Sequence, residues 1–458
     1  PIGNNMSSSA HLIQSEDEGY ADSFVGNEKA PEDKYNLTWF LFLLLGIGVL
    51  FPWNAFISNN DYFQAKYEGF PIEFTLPLVY NYPNMICLIF VSIWGDKLPL
   101  RGRLLVGFAI EILVFIVIPA QDALITSKAD AMKSMGILLA MAATCGLCAA
   151  VLIGTLFGFA AMFPPHYMTA VMSGNGVAGI IIFAMKSVMK VGFGEGMDKQ
   201  KLSSIVYFSA AGGVILLCFV AILFMPRLEF VRYHLAQNEK KKSGVSSGGI
   251  NDDDASLLLQ PGKSRETPFL VLLSRFWPQA VNVFWIFFVT LTLFPGLLFN
   301  IVPSAKALEN RWLGVLLVGT FQVGDFIGRT LPRFVTRVEK STEEVVVLVP
   351  RRWNFLLSAL HSIFFPLVML CVVPLGKAYL ENNAFAFIIV GLFAISNGFS
   401  GTIPMIYGPS SVEGKDAGRV GTAMAVFLNL GIFLGSHMAF LMLWSVKPTA
   451  LTDIFKKH

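Results

Sequence analysis

The chain of 458 residues is 54% hydrophobic and only 14% charged, with 41 Phe, 40 Gly and a mean hydropathy of +0.61. A soluble domain carries about 25% charged residues, so this chain cannot wet its whole surface; a cytosolic enzyme, a nucleic-acid binder and a disulfide-stapled secreted module are excluded. Its net charge of +3 is too small and too dispersed to imply a polyanionic partner.

A bilayer core of about 30 Å needs roughly 20 apolar residues per helix. Eleven such runs are predicted, at 37–57, 74–95, 103–121, 136–163, 167–190, 203–226, 277–302, 312–334, 353–375, 384–409 and 418–446. The expected fold class is an all-α polytopic membrane protein with eleven transmembrane helices in a 6 + 5 arrangement. Strands of a membrane barrel would be about ten residues long and would alternate with period two. Residues 1–34 read as a polar, disordered tail richer in acid than base, unlike a secretory signal. Residues 35–227 hold six runs, 228–268 a flexible linker, 269–446 five runs and 447–458 a short tail. The linker carries Lys240, Lys241 and Lys242, then Ser and Gly, then Asp252, Asp253 and Asp254. Taken whole, it offers too little apolar surface to fold alone. Lys and Arg concentrate in the N-terminal tail and in the loops after even-numbered runs, among them Arg101, Arg103, Arg333, Arg337, Arg351 and Arg352. The positive-inside rule then places the N-terminus and linker in the cytosol and the C-terminus outside. The sequons at Asn5-Met6-Ser7 and Asn36-Leu37-Thr38 fall on the cytosolic side, so neither is expected to carry a glycan.

Polar residues inside the runs mark the candidate site. Charges in a membrane helix are expensive and usually face a cavity or a partner. Four lie far from any loop: Glu111, Lys186, Asp325 and Arg329. Asp325 and Arg329 stand four apart in the eighth run, on one helix face, where they can neutralise each other. Such a pair either locks packing or offers a donor fork beside a carboxylate, which suits the vicinal hydroxyls of a neutral solute. Lys186 reads as a snorkelling side chain near the outer end of the fifth run. Glu111 falls near mid-membrane with no helical partner and is the candidate proton site; a neutral acid between helices is the alternative reading. The first run ends in Phe51-Pro52-Trp53-Asn54, where Pro52 frees backbone groups and Trp53 sets a flat aromatic face beside an amide. A Trp near a helix end also serves as an interfacial anchor. The five cysteines sit in apolar runs, and the spacing of Cys145 and Cys148 lacks the second ligand pair of a metal site. With no phosphate loop and no hydrolase or kinase signature, neither ATP coupling nor catalysis is expected, and no cofactor or metal.

On these motifs the chain resembles the equilibrative nucleoside transporters across most of its membrane region. The matching pieces are Phe51-Pro52-Trp53-Asn54, Gly154 to Gly158, Met172 to Gly179, Phe294-Pro295, Asp325 to Arg329, Ser396-Asn397-Gly398 and Gly408-Pro409. The resemblance implies a major-facilitator-like fold with one central site that opens alternately to each side. It also implies a monomeric carrier in a lipid bilayer that takes nucleosides, or nucleobases as well. Carried over by position, Trp53 would stack on the base with Asn54 beside it. Asp325 and Arg329 would bind ribose hydroxyls, and Leu50, Ile57, Phe294 and Ile432 would supply apolar walls. Where many members place Gln, this chain has Ile153, followed by Gly154 and Thr155, so an amide that could bond the base is missing. Gln322 stands where some members have Asn. The competing functions are a proton-coupled symporter, through Glu111, and a receptor that binds the same ligand without moving it. The expected location is the plasma membrane. A lysosomal or vacuolar membrane is the alternative, because Asp253, Leu257 and Leu258 fit an acidic dileucine signal that a sorting adaptor could read.

Overall fold

The computed structural model describes residues 31–67, 70, 72–124, 130–193, 197–243, 267–298, 301, 312–338, 345–346, 349–372 and 383–446. These residues are almost all helical. The helices are α1 (Leu37–Ser58), α2 (Asn60–Lys66), α3 (Ile72–Trp94), α4 (Leu100–Leu124), α5 (Ala131–Ala160), α6 (Pro165–Phe193), α7 (Met197–Phe224) and α8 (Glu229–Ser243). They continue with α9 (Phe269–Leu293), α10 (Trp312–Thr330), α11 (Pro332–Val335), α12 (Asn354–His361), α13 (Phe364–Val372), α14 (Asn383–Tyr407) and α15 (Gly414–Val446). One antiparallel pair, β1 (Arg337–Val338) on β2 (Val345–Val346), sets Arg337 opposite Val346. Among the described residues, ten helical stretches are long and apolar enough to cross a membrane. The remaining run, the eighth predicted, at 312–334, forms α10, a helix of 19 residues that is not one of the ten. Gln322, Asp325 and Arg329 dilute its apolar character, which marks it as the polar helix of the set.

The sequence explains where helices break. The run predicted at 353–375 divides into α12 and α13, and the chain turns at Ser362 and Ile363. Pro366 has no N–H to return to the Ser362 carbonyl, and its ring crowds that oxygen in a continuous helix. The linker expected to be unstructured opens instead with α8. Val231 is buried, and Phe230 and His234 set their rings 5.3 Å from Tyr167 and 5.1 Å from Phe163, centroid to centroid. Asn238 Nδ2 donates to the Met162 carbonyl at 3.2 Å. These residues share one helix face, which a composition averaged over the whole linker hides. Burial, and then the nearby charges of Lys241 and His166, push the His234 imidazole down to about 4.

Packing pairs the helices along the chain. α1 lies on α6, α3 on α5, and α4 on both α5 and α7, while α9 lies on α15 and α10 on α14. Two further contacts, α10 on α6 and α15 on α5, join the earlier helices to the later ones. Ile86, Ile93, Leu113, Ile116 and Leu217 remain exposed on α3, α4 and α7. An apolar belt of this kind suits hydrocarbon and would promote aggregation in water.

Candidate functional site

Gln322, Asp325 and Arg329 recur at three- and four-residue spacing and so share one face of α10. Arg329 Nε donates to Asp325 Oδ2 at 2.6 Å, with both side chains under a tenth exposed. α14 lies directly against this stretch: a Cβ on Gly398 would strike the Asp325 carbonyl and the Arg329 amide nitrogen. That closeness lets the neighbouring Asn397 reach the acid, its Nδ2 donating to Asp325 Oδ1 at 2.7 Å. Thr290 of α9 donates from Oγ1 to Asn397 Oδ1 at 2.7 Å and stands 3.0 Å from His361 Nε2. His361 Nδ1 in turn lies 3.0 Å from Ser396 Oγ. Four helices, α9, α10, α12 and α14, thus share one buried polar network.

The network leaves chemistry unused. A carboxylate offers about four lone-pair positions; Arg329 and Asn397 occupy one on each oxygen, so each oxygen can still accept from a hydroxyl. Among the described residues, the Arg329 guanidinium otherwise meets Met172 Sδ, 3.8 Å from Nη1, and the Phe287 ring, 5.6 Å from its centroid. Neither is a strong acceptor, so donor capacity remains as well. Ser173 Oγ and Thr330 Oγ1, 3.1 Å apart, tie α6 to the end of α10, and the Gln322 amide lies against Gly179 of α6.

The residues expected to meet the base lie among the earlier helices. Trp53 is half-buried on α1, its ring 4.5 Å from that of Tyr80 and tilted by 36°. Asn54 is half-buried, and its Nδ2 is one of the buried nitrogens without a hydrogen-bond partner among the described residues. Thr155 is buried with Oγ1 in the same condition. Leu50, Ile153 and Ile432 are partly buried against the large core, and Phe294 stacks on Phe321 at 3.9 Å. Ile57 is exposed, one turn beyond Trp53. The ion pair and Trp53 are related through α6, on which both α1 and α10 pack. Glu111 is fully buried with neither oxygen bonded among the described residues, within electrostatic reach of Tyr80, Cys145, Cys148 and Cys218. Asp253, Leu257 and Leu258 lie outside the described residues.

A search for charges in the spans could not find Thr290 or His361, and it left Asn397 inside a motif without a role. The available signal was an uncharged polar residue in an apolar run: a single His in 353–375, an Asn in 384–409.

The fold is that of the major facilitator transporters. A major-facilitator transporter of fucose solved in its outward conformation superposes with a TM-score of 0.57 at 14% identity, over 90% of this chain and 92% of that one. The proton:xylose symporter bound to a bromodeoxyglucose gives 0.59 at 10% identity, over 92% and 89%. The family model described as Nucleoside transporter matches residues 139–444, and the chain belongs to that family. It is 26% identical to human equilibrative nucleoside transporter 1 over 90% of this chain and 98% of the relative. To equilibrative nucleotide transporter 8 of Arabidopsis thaliana it is 25% identical, over 92% and 99%.

Proposed function

We propose that this protein is a facilitative carrier that moves nucleosides across a membrane by alternating access, in both directions and without ATP. The carrying observation is the buried Asp325–Arg329 pair, engaged by Asn397 yet with acceptor and donor capacity left over. A nucleoside is neutral, with vicinal hydroxyls at one end and an aromatic plane at the other. The pair suits the hydroxyls, and Trp53, backed by Tyr80, suits the plane, with the unpartnered Asn54 amide beside it. Leu50, Ile57, Ile153, Phe294 and Ile432 would line the path between, while Thr155 and Gln322 supply the polar contacts available to the base. Counting α10 as a span brings the total to eleven in this reading, which puts the N-terminus in the cytosol, the C-terminus outside and the α8 segment on the cytosolic face. The carrier is a monomer of the plasma membrane; the dileucine signal at Asp253, Leu257 and Leu258 would move it to an acidic compartment.

Uptake of labelled adenosine into vesicles containing the purified protein tests this. Saturable entry, exchange against internal unlabelled nucleoside and no ATP requirement are expected. Binding without flux would make the protein a receptor, and ATP-dependent accumulation at equal pH would overturn the assignment.

A second reading, proton coupling, rests on Glu111, whose two buried oxygens have no hydrogen-bond partner among the described residues. An inward proton gradient that drives accumulation would support it.

A further inference from the structure

The hydrogen bonds that continue beyond Asn397 admit a single order of protons. A carboxylate only accepts, so Asn397 must turn Nδ2 to Asp325 and Oδ1 to Thr290. Thr290 has one hydroxyl proton and gives it to Asn397 Oδ1. Towards His361 it therefore accepts, and Nε2, 3.0 Å away, must carry hydrogen. In the neutral ring Nδ1 then accepts, and the Ser396 hydroxyl at 3.0 Å is its donor. Every donor points along the chain towards Asp325. His361 is fully buried, and its ring lies on Phe393 at 5.2 Å and 20°, which holds the plane of the imidazole.

From this order we infer that His361 is a positioning residue for hydroxyl recognition: through Thr290 it holds the Asn397 amide in the one orientation that donates to Asp325. The free lone pairs of that carboxylate then stay aimed at a sugar. The inference rests on the reading of Asp325 and Arg329 as the sugar-binding pair. Without the Nε2 hydrogen the Thr290 hydroxyl is free to turn, and Asn397 loses the donor that fixes its oxygen. A turned amide sets oxygen against carboxylate, and Asp325 swings towards Arg329 and away from the ligand. His361 itself touches no substrate in this scheme, and the ring hydroxyls alone should report its loss.

The test compares adenosine with 2′,3′-dideoxyadenosine, which keeps the base and lacks both ring hydroxyls. Transport of each is measured in vesicles containing wild-type protein, His361→Phe, His361→Gln or Thr290→Val. For His361→Phe the adenosine KM should rise about tenfold, equivalent to about 1.4 kcal/mol, while the maximal rate per carrier stays within about twofold. The dideoxyadenosine KM should be the same in all four proteins. His361→Gln, which keeps an amide donor near the Nε2 position, should restore most of the adenosine affinity. Thr290→Val matches the original shape and should reproduce the selective loss; it carries the test if the Phe variant does not reach the membrane. An equal rise for both substrates, or no rise for adenosine in either variant, overturns the inference while leaving the sugar site in place. Wild-type protein that transports adenosine and dideoxyadenosine with the same KM overturns the sugar site and this inference with it.

Discussion

Asp325 and Glu111 are both carboxylates sealed among membrane-spanning helices, and their surroundings are opposite. Asp325 has Arg329 on one oxygen and Asn397 on the other, with three further polar side chains behind them. Glu111 is as deeply buried, within electrostatic reach of Tyr80 and the thiols of Cys145, Cys148 and Cys218, with no hydrogen bond among the described residues. A buried charge survives only where partners replace its water. Asp325 has such partners and can act as a fixed anion at the ligand. Among the described residues Glu111 has none, so a static charge at that position would be costly.

This contrast can be broken most directly at the ion pair. Asp325→Ala and Arg329→Ala each strand the opposite charge, a penalty of about 3–5 kcal/mol, and each also removes ligand hydrogen bonds. Both variants should lose nearly all adenosine uptake while remaining in the membrane at near wild-type abundance. Normal uptake by both would reduce the pair to packing and move the site elsewhere.

Glu111 sharpens the comparison from the other side. Glu111→Gln keeps shape and removes the ability to ionise, so for an equilibrative carrier adenosine exchange should change by less than about threefold, an effect under about 1 kcal/mol. An imposed proton gradient should leave the wild type at equilibration. Gradient-driven accumulation that the Gln variant loses would transfer the coupling to Glu111 and make the two carboxylates partners in one cycle.

The smallest effect belongs to α8, outside the spans. The folded state depresses His234 from 6.5 to about 4, so the unfolded segment binds a proton first. The contribution of His234 to docking is therefore complete above about pH 6.5 and is lost as pH falls towards 4. Amide protection in Glu229–Ser243, with exchange corrected for its intrinsic pH dependence, should fall over that window, and His234→Phe should flatten the response. Corrected protection that does not respond to pH in wild-type protein would place the imidazole in water.

Much of this was legible in the sequence because lipid imposes a simple rule. A helix must satisfy its own backbone bonds and present about 20 apolar residues, so eleven runs could be read from the sequence, and ten of them are helices long and apolar enough to span among the described residues. The same rule made Asp325, Arg329 and Glu111 conspicuous as charges where charges are costly. The run read at 312–334 forms a helix in α10, whose polar face lowers its hydropathy below that of the other spans; the reading failed on α8, whose apolar face was diluted by its neighbours. Spacing also placed Asp325 and Arg329 on one face of one helix, since a four-residue separation is local geometry.

Tertiary structure alone decided what each charge meets. Asn397, Thr290 and His361 lie 72, 107 and 71 positions from the residues they bond, and periodicity carries no information over such separations. The close approach of α14 to α10 at Gly398 brings them together. The amino-acid sequence thus determined which residues are buried and roughly where each helix runs. Only the packing of α9, α10, α12 and α14 determined that one buried acid is held in a network while the other has no hydrogen bond among the described residues, because a hydrogen bond depends on distances of a few ångströms that hydropathy does not encode.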